Sequence, residues 1–441
     1  MCYNKAMKIS LGYGTGFQEA DVPEENIIKI VEQNDITDDA KASGPAAPKS
    51  VADILWRALA NPIGTPRLRD MVKPGEKVAI ITSDITRPMP TWEVIPFILE
   101  ELAFARIADE DVTLIFALGS HRPHTEEEQR HLAGKAFDII QCVDSDPSDC
   151  VHLGVTRSGT PVDITRVVAE ADKIICLGNI KYHYFAGYSG GVKALMPGAS
   201  TPAAIQANHS MMVEESACAG KLDGNPLRED LEEVLGICPV DFILNVVLDE
   251  HKHIVHAVAG DVVAAHREGC KYLDRLYRVE IPSRADIVIV SQGGAPKDLN
   301  LYQTQKALDN SKHAVKDGGT IILVGSCREG LGQKTFEEWI TQANAPEDLT
   351  RRVREDFKLG GHKAAAIAMV MEHANIKLVS EMKPDFVSSI FMEPYSDLQQ
   401  AVDDALTEQR DHLADQAENA DQAAEPTVII MPYGGSTLPS V

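Results

Sequence analysis

The architecture is decided by residues 173–212, KIICLGNIKYHYFAGYSGGVKALMPGASTPAAIQANHSMM. Its opening, Lys173-Ile174-Ile175-Cys176-Leu177-Gly178, is a short apolar run closed by glycine. Such a run predicts a strand covered on both faces, as in a parallel sheet. His183 then stands just past the strand's C-terminal end. Gly187, Ser189, Gly190 and Gly191 leave the backbone free to approach a ligand, and Val192 to Met196 is placed to open a helix whose N–H groups attract an anion. With Lys193 and His209, the segment holds a candidate base, covalent anchor and metal ligand. It reads either as a phosphate seat or as a plain glycine turn with a surface lysine and two core histidines. A Walker A loop does not fit, because that motif needs Gly-Lys before Ser or Thr and the order here is Gly191-Val192-Lys193-Ala194.

The same pattern recurs on both sides. Residues 1–35 read as a strand or two, and Asp35 to Ser50 as a linker or long loop. Val51 to Ala60 has helical apolar spacing, and Lys77 to Thr82 is a buried strand. Asp84 and Arg87 follow it, at the sheet edge where open α/β folds bind ligands. After Pro88 and Pro90 comes a helix around Trp92 to Ala105. Val112 to Leu118 is the next strand, with His121 and His124 in its C-terminal loop and a capping-box signature from Thr125. Those two histidines lack a local third ligand, so a metal pair is not read there.

Downstream, Asp241 to Leu248 is a strand and Gly260 to Tyr277 a helical segment. Ala285 to Val290 is another buried strand, and the helix that follows puts Gln303 and Lys306 on one face. Gly319 to Gly325 is a strand, Gly360 to His373 opens and carries a helix, and acidic 398–426 reads as a solvated helix and loop. Val428 to Gly435 closes the chain as strand and turn. This alternation predicts an α/β fold of two domains, 1–275 and 276–441, with mainly parallel sheets flanked by helices and the active site in the interdomain cleft.

At 441 residues the chain exceeds one ordinary core. The net charge of −24 argues against nucleic acid or an anionic membrane as partner, so an anionic substrate needs a local Arg or Lys cluster. No stretch has the length of a membrane span, and the N-terminus lacks a signal-peptide core. Eight scattered cysteines without a CxxC pair fit a cytoplasmic protein with reduced thiols.

Five ordered motifs, Ser83-Asp-Ile-Thr-Arg-Pro, Gly119-Ser-His-Arg-Pro, His183-Tyr-Phe-Ala-Gly-Tyr-Ser-Gly-Gly-Val-Lys193, Ala207-Asn-His-Ser and Tyr302-Gln-Thr-Gln-Lys306, span nearly the whole chain. Together they resemble the nickel-dependent lactate racemase family of 2-hydroxyacid racemases and epimerases. The resemblance implies a nickel-pincer nucleotide, pyridinium-3,5-bisthiocarboxylic acid mononucleotide, attached through a thioamide to Lys193, with Ser189, Gly190 and Gly191 around it. His209 falls on the nickel ligand, His121 and His183 on the catalytic histidines, and Arg87, Gln303 and Lys306 on substrate-binding positions. Asp84 matches an active-site position, either supporting the cofactor or orienting Arg87. The implied partners are a small 2-hydroxyacid and the enzymes that supply the cofactor in trans.

The implied chemistry is physically coherent. Plain proton abstraction beside a carboxylate is too mismatched in acidity for an imidazole base, whereas removing hydride from carbon and a proton from the hydroxyl avoids a carbanion. The planar 2-keto acid so formed can take hydride back on either face, and two histidines serve the two enantiomers. Arg87 offers a bidentate, always charged fork, and nickel with sulfur, carbon and one imidazole suits a square-planar site. Val192 departs from the basic residue that precedes the anchoring lysine in the best-known lactate racemases, which speaks against lactate as the specific substrate. Two other readings are a non-catalytic relative that binds nickel or a pyridine nucleotide, which would need neither His121 nor His183, and an NAD-dependent 2-hydroxyacid dehydrogenase, for which no GxGxxG follows a predicted strand.

Overall fold

A computed structural model describes residues 5–34, 50–249, 251–416 and 424–441. The chain folds as two compact units, one of Ile36–Arg275 and one that combines Met1–Asp35 with Leu276–Val441. Residues 1–35 thus group with Leu276–Val441, whereas the sequence reading places them with 36–275. The reason is a non-local strand pairing. Ile27–Ile30 is the edge strand beside Val428–Met431, and the hairpin Ala6–Tyr13/Gly16–Pro23 places Ile9, Leu11, Ala20 and Val22 in that unit's core.

In the unit of Ile36–Arg275 the sheet order is Ile254–Gly260, Phe242–Leu248, Lys173–Ile180, Val78–Ser83, Val112–Ala117, Gln141–Asp144. All neighbours are parallel except the first pair, which is antiparallel. Ile80, Leu114, Ile175 and Leu177 are wholly buried in one core with Leu55, Leu59, Val94 and Ile98 of the covering helices. Each such side chain contributes roughly 1.5–3 kcal/mol by leaving water. The helices start where the sequence supplies caps: Ser50 accepts from Asp53 N ahead of Val51–Ala60, and Thr125 and Glu128 form a reciprocal capping box on Glu126–Ala133. Of the expected linker 35–50, only Ser50 lies within the described residues.

The other unit has a six-stranded sheet, parallel throughout, in the order Glu393–Tyr395, Ala374–Val379, Val315–Val324, Ala285–Ser291, Val428–Met431, Ile27–Ile30. The helix Leu398–Gln416 is not merely solvated, since Leu398, Ala401, Val402, Ala405 and Leu406 bury one face against this sheet. Among the described residues no helix is long and apolar enough to cross a membrane.

Candidate active site

The chemistry-bearing residues of Ile36–Arg275 follow the C-terminal ends of three adjacent parallel strands, Lys173–Ile180, Val78–Ser83 and Val112–Ala117. Asp84 follows the central one and is almost wholly buried. One carboxylate oxygen accepts from Thr86 N at 2.7 Å and from Thr86 Oγ1 at 2.5 Å. The other lies 2.5 Å from His121 Nδ1. Burial pushes the Asp84 carboxyl up, but the His121 and Thr86 hydrogen bonds, with the charge of Arg87, prevail and hold it below the usual carboxylate value. Asp84 therefore accepts, His121 donates from Nδ1, and the lone pair of neutral His121 is on Nε2. Arg87 is exposed and donates from Nη1 to Thr86 Oγ1 at 3.1 Å. Of the two roles open for Asp84, orientation of Arg87 is met only through Thr86; its direct bond is to His121.

His124, three residues on, is held at both ring nitrogens by protein groups. Its Nδ1 meets Asp144 Oδ1 at 2.7 Å and its Nε2 accepts from Ile85 N at 3.0 Å. Both ring nitrogens are engaged, and the ring ties the Asp84–Arg87 loop to the strand Gln141–Asp144.

The second cluster follows the strand Lys173–Ile180. His183 and Lys193 are each half-buried. Phe185 is their common neighbour, with its ring centroid 4.4 Å from that of His183, 4.9 Å from that of His209, and 5.8 Å from Lys193 Nζ. Burial drives the His183 pKa well below 6.5, and the charges of Lys193, His209 and Arg87 push the same way. Burial likewise drives the Lys193 amine well below 10.5, aided by Arg228 and Arg87. Desolvation plus cationic neighbours is the environment that makes a lysine a nucleophile.

The glycine run leads into a tight turn and not into the helix expected at Val192 to Met196. No α-helix opens at Val192; Gly191–Ala194 is a single 3-10 turn, and the next helix is Pro202–His209. Gly191 N donates to Asn245 Oδ1 at 2.7 Å, and Ser189 Oγ donates to Asn179 O at 2.7 Å. The backbone approaches protein groups closely. Gly190 and Gly191 have φ of 79° and 60°, and a Cβ would stand 2.7 Å from Asn245 Oδ1 at the first and 2.9 Å from the His266 ring at the second. Beneath the turn Arg228 is buried, donating to Tyr188 O at 3.1 Å, while His266 Nε2 lies 2.8 Å from Ser189 O. Asn245, Arg228 and His266 are supports that the sequence did not disclose.

Two family models match in order, the lactate racemase N-terminal domain over residues 13–220 and the lactate racemase C-terminal domain over residues 281–420. A lactate racemase from Thermoanaerobacterium thermosaccharolyticum is 33% identical over 407 residues, covering 89% of this chain and 93% of that relative. The chain belongs to the lactate racemase family. A lactate racemase from Lactiplantibacillus plantarum is 33% identical over 367 residues, or 81% of this chain and 86% of the relative. The solved lactate racemase apoprotein from T. thermosaccharolyticum superposes with a TM-score of 0.84 at 31% identity, covering 99% of this chain and 100% of that one. A Thermotoga maritima protein at 18% identity, TM-score 0.55, covering 83% of this chain and 93% of that one, shares the fold alone.

Within this lactate racemase family member, Asp84, Arg87, His121, His183, Lys193 and His209 all lie in the unit of Ile36–Arg275. Gln303 and Lys306 lie in the other unit, on the helix Leu301–Ser311, where Lys306 Nζ donates to Gln303 Oε1 at 3.0 Å. The donor set fits the implied cofactor. Lys193 offers an amine disposed to be neutral, and His209 offers an imidazole against the same Phe185 ring. Among the described residues no group of three or more His, Cys, Asp or Glu is placed to hold a metal ion.

Proposed function

We propose that this protein inverts the C2 centre of a 2-hydroxyacid, lactate or a related 2-hydroxycarboxylate, by reversible hydride transfer through a 2-keto acid. A nickel-pincer nucleotide made by separate biosynthetic enzymes supplies the hydride acceptor, with Lys193 as its covalent anchor and His209 as the protein ligand to nickel. Arg87 binds the substrate carboxylate, and Gln303 and Lys306 take a substrate-binding part. His121, backed by Asp84, removes or returns the hydroxyl proton for one enantiomer, and His183 does so for the other. Partial burial of Lys193 and His183 strengthens the electrostatic contacts they make.

One observation carries this reading: side chains from separate stretches converge, with Asp84 bonded to His121 and Arg87's charge acting on both His183 and Lys193. Purified protein from a cofactor-making host tests it. Bound nickel, a mass increase mapping to Lys193, and interconversion within a panel of enantiopure 2-hydroxyacids are expected. Lys193→Ala is expected to lose both the adduct and activity; activity retained without an adduct refutes the anchor. Dependence on added NAD instead would replace this reading with the dehydrogenase.

A further inference from the structure

The residue beside the proposed nickel ligand takes no part in the chemistry above, yet Asn208 is wholly buried. Its Nδ2 donates to Leu227 O at 3.1 Å and to Asp230 Oδ2 at 2.8 Å. A carbonyl and a carboxylate oxygen of this kind are both acceptors, so the amide nitrogen must face them and Oδ1 must face away. There Oδ1 meets His209 Nδ1 at 3.0 Å. Oδ1 has no hydrogen to give, so Nδ1 carries the ring proton, and in the neutral imidazole the lone pair is on Nε2.

The other end of the chain is equally determined. Thr156 Oγ1 accepts from Thr160 N at 3.1 Å, which directs its own hydrogen to Asp230 Oδ1 at 2.5 Å. Thr160 Oγ1 donates to Asp230 Oδ2 at 2.7 Å. Asp230, Thr156 and Thr160 are all buried. Three segments, the turn between Cys150–Val155 and Pro161–Thr165, the helix Pro202–His209 and the helix Pro226–Glu233, thus converge on one ring nitrogen.

Resting on the proposed function, we propose that Asn208 and Asp230 are positioning residues that fix His209 in its Nδ1–H tautomer, so that Nε2 is the atom presented to nickel. Metal-ligating histidines are held in this way by a fixed acceptor on the other nitrogen, which sets ring orientation and ligand basicity. A fully satisfied buried network suits that task because it admits one arrangement.

The ring tautomer is read first, in apoprotein carrying 13C,15N-histidine, with the His209 signals identified by difference from His209→Gln. The Nδ1–H tautomer is expected in the wild-type chain, and the Nε2–H tautomer there overturns the proposal. This measurement stands whether or not any variant folds. Asn208→Leu, close in size but without an acceptor, is expected to move His209 toward Nε2–H and to lower nickel affinity in cofactor-loaded protein about 10- to 100-fold under a chelator challenge. An unchanged tautomer and unchanged nickel retention in that variant overturn the proposal. Thr156→Val, a milder change at the far end, is expected to weaken nickel retention less, in the same direction. Wild-type protein that never holds nickel sinks the metal reading, and the tautomer alone then decides the relay.

Discussion

The two histidines of the site live in opposite surroundings. His121 leans on the Asp84 carboxylate, which Thr86 and Arg87 keep ionisable at low pH. His183 is governed by burial and by the charges of Lys193, His209 and Arg87, with the Phe185 ring packed against it. Ala186 N also donates to His183 Nδ1 at 3.3 Å, so protonating both ring nitrogens there would set two donors against each other. Burial and the neighbouring cations therefore resist a second proton on His183. The two proposed bases thus work in unequal surroundings, one bonded to a carboxylate and the other crowded by cations.

The largest effects test that inequality directly. His121→Ala and His183→Ala are each expected to stop net racemisation, and each to lower hydroxyl deprotonation of one enantiomer by about 10²- to 10⁴-fold, the usual worth of a positioned acid or base. Single-turnover formation of 2-keto acid from each pure enantiomer reads this. Asp84→Asn is expected to slow the same enantiomer as His121→Ala, because an amide that turns its NH₂ toward Nδ1 reverses the ring tautomer. If both histidine variants lose the same enantiomer, the two-base arrangement is wrong. If Asp84→Asn instead slows the His183 direction, the pairing drawn here is wrong.

A smaller effect is expected at Arg87, whose charge reaches His183 and Lys193 and whose exposed guanidinium is the proposed grip on the substrate carboxylate. Arg87→Lys keeps the charge and loses one hydrogen bond to an anion, roughly 1.5–3 kcal/mol or about 10- to 100-fold. The loss is expected in KM for both enantiomers alike, measured by initial rates in each direction. A loss confined to one enantiomer would mean that Arg87 acts on one histidine and not on the shared carboxylate.

The sequence made the strands legible because a parallel sheet buries both faces, which leaves runs such as Ile174–Leu177 apolar without alternation. The loops after them were legible because binding residues cluster at the C-terminal edge. What stayed hidden was non-local or conformational. Ile27–Ile30 pairs with Val428–Met431 across almost the whole chain, and no local pattern reports such a partner. The Asp84–His121 bond joins two loops on neighbouring strands, and neither motif names the other. The glycine run announced close approach without saying what approaches; Asn245 and His266 lie against Gly190 and Gly191. Asn208 stood inside a quoted motif, silent until Leu227 and Asp230 showed which way its amide must point.

The smallest expected effects are on stability of the apoprotein, and they differ in sign between the two halves of the site. The folded Lys193 amine has its pKa pushed well below 10.5 by burial, then by Arg228 and Arg87. Between that depressed value and 10.5 the unfolded chain binds a proton that the folded chain does not, so stability rises with pH across this window and Lys193 costs stability at neutral pH. Lys193→Met, similar in shape and without charge, is expected to raise the melting temperature at pH 7 by at least about 2 °C, the shift that ~1 kcal/mol produces in a domain of 150–250 residues. Added packing by Met would be constant with pH, whereas the ionisation component must shrink as pH approaches 10.5. Asp84 behaves oppositely. Its folded pKa lies below 3.8, so its contribution is present above that value and is lost as pH falls through the folded pKa. Asp84→Asn is accordingly expected to lower the melting temperature at pH 7, with the gap to wild type closing under acid. Calorimetric melting of the three apoproteins from acid to pH 10 reads both trends at once. A Lys193→Met gain that does not vary with pH would mean that the amine is charged in the folded chain, and the contrast between a carboxylate-backed half and a cation-crowded half would fail at its anchor.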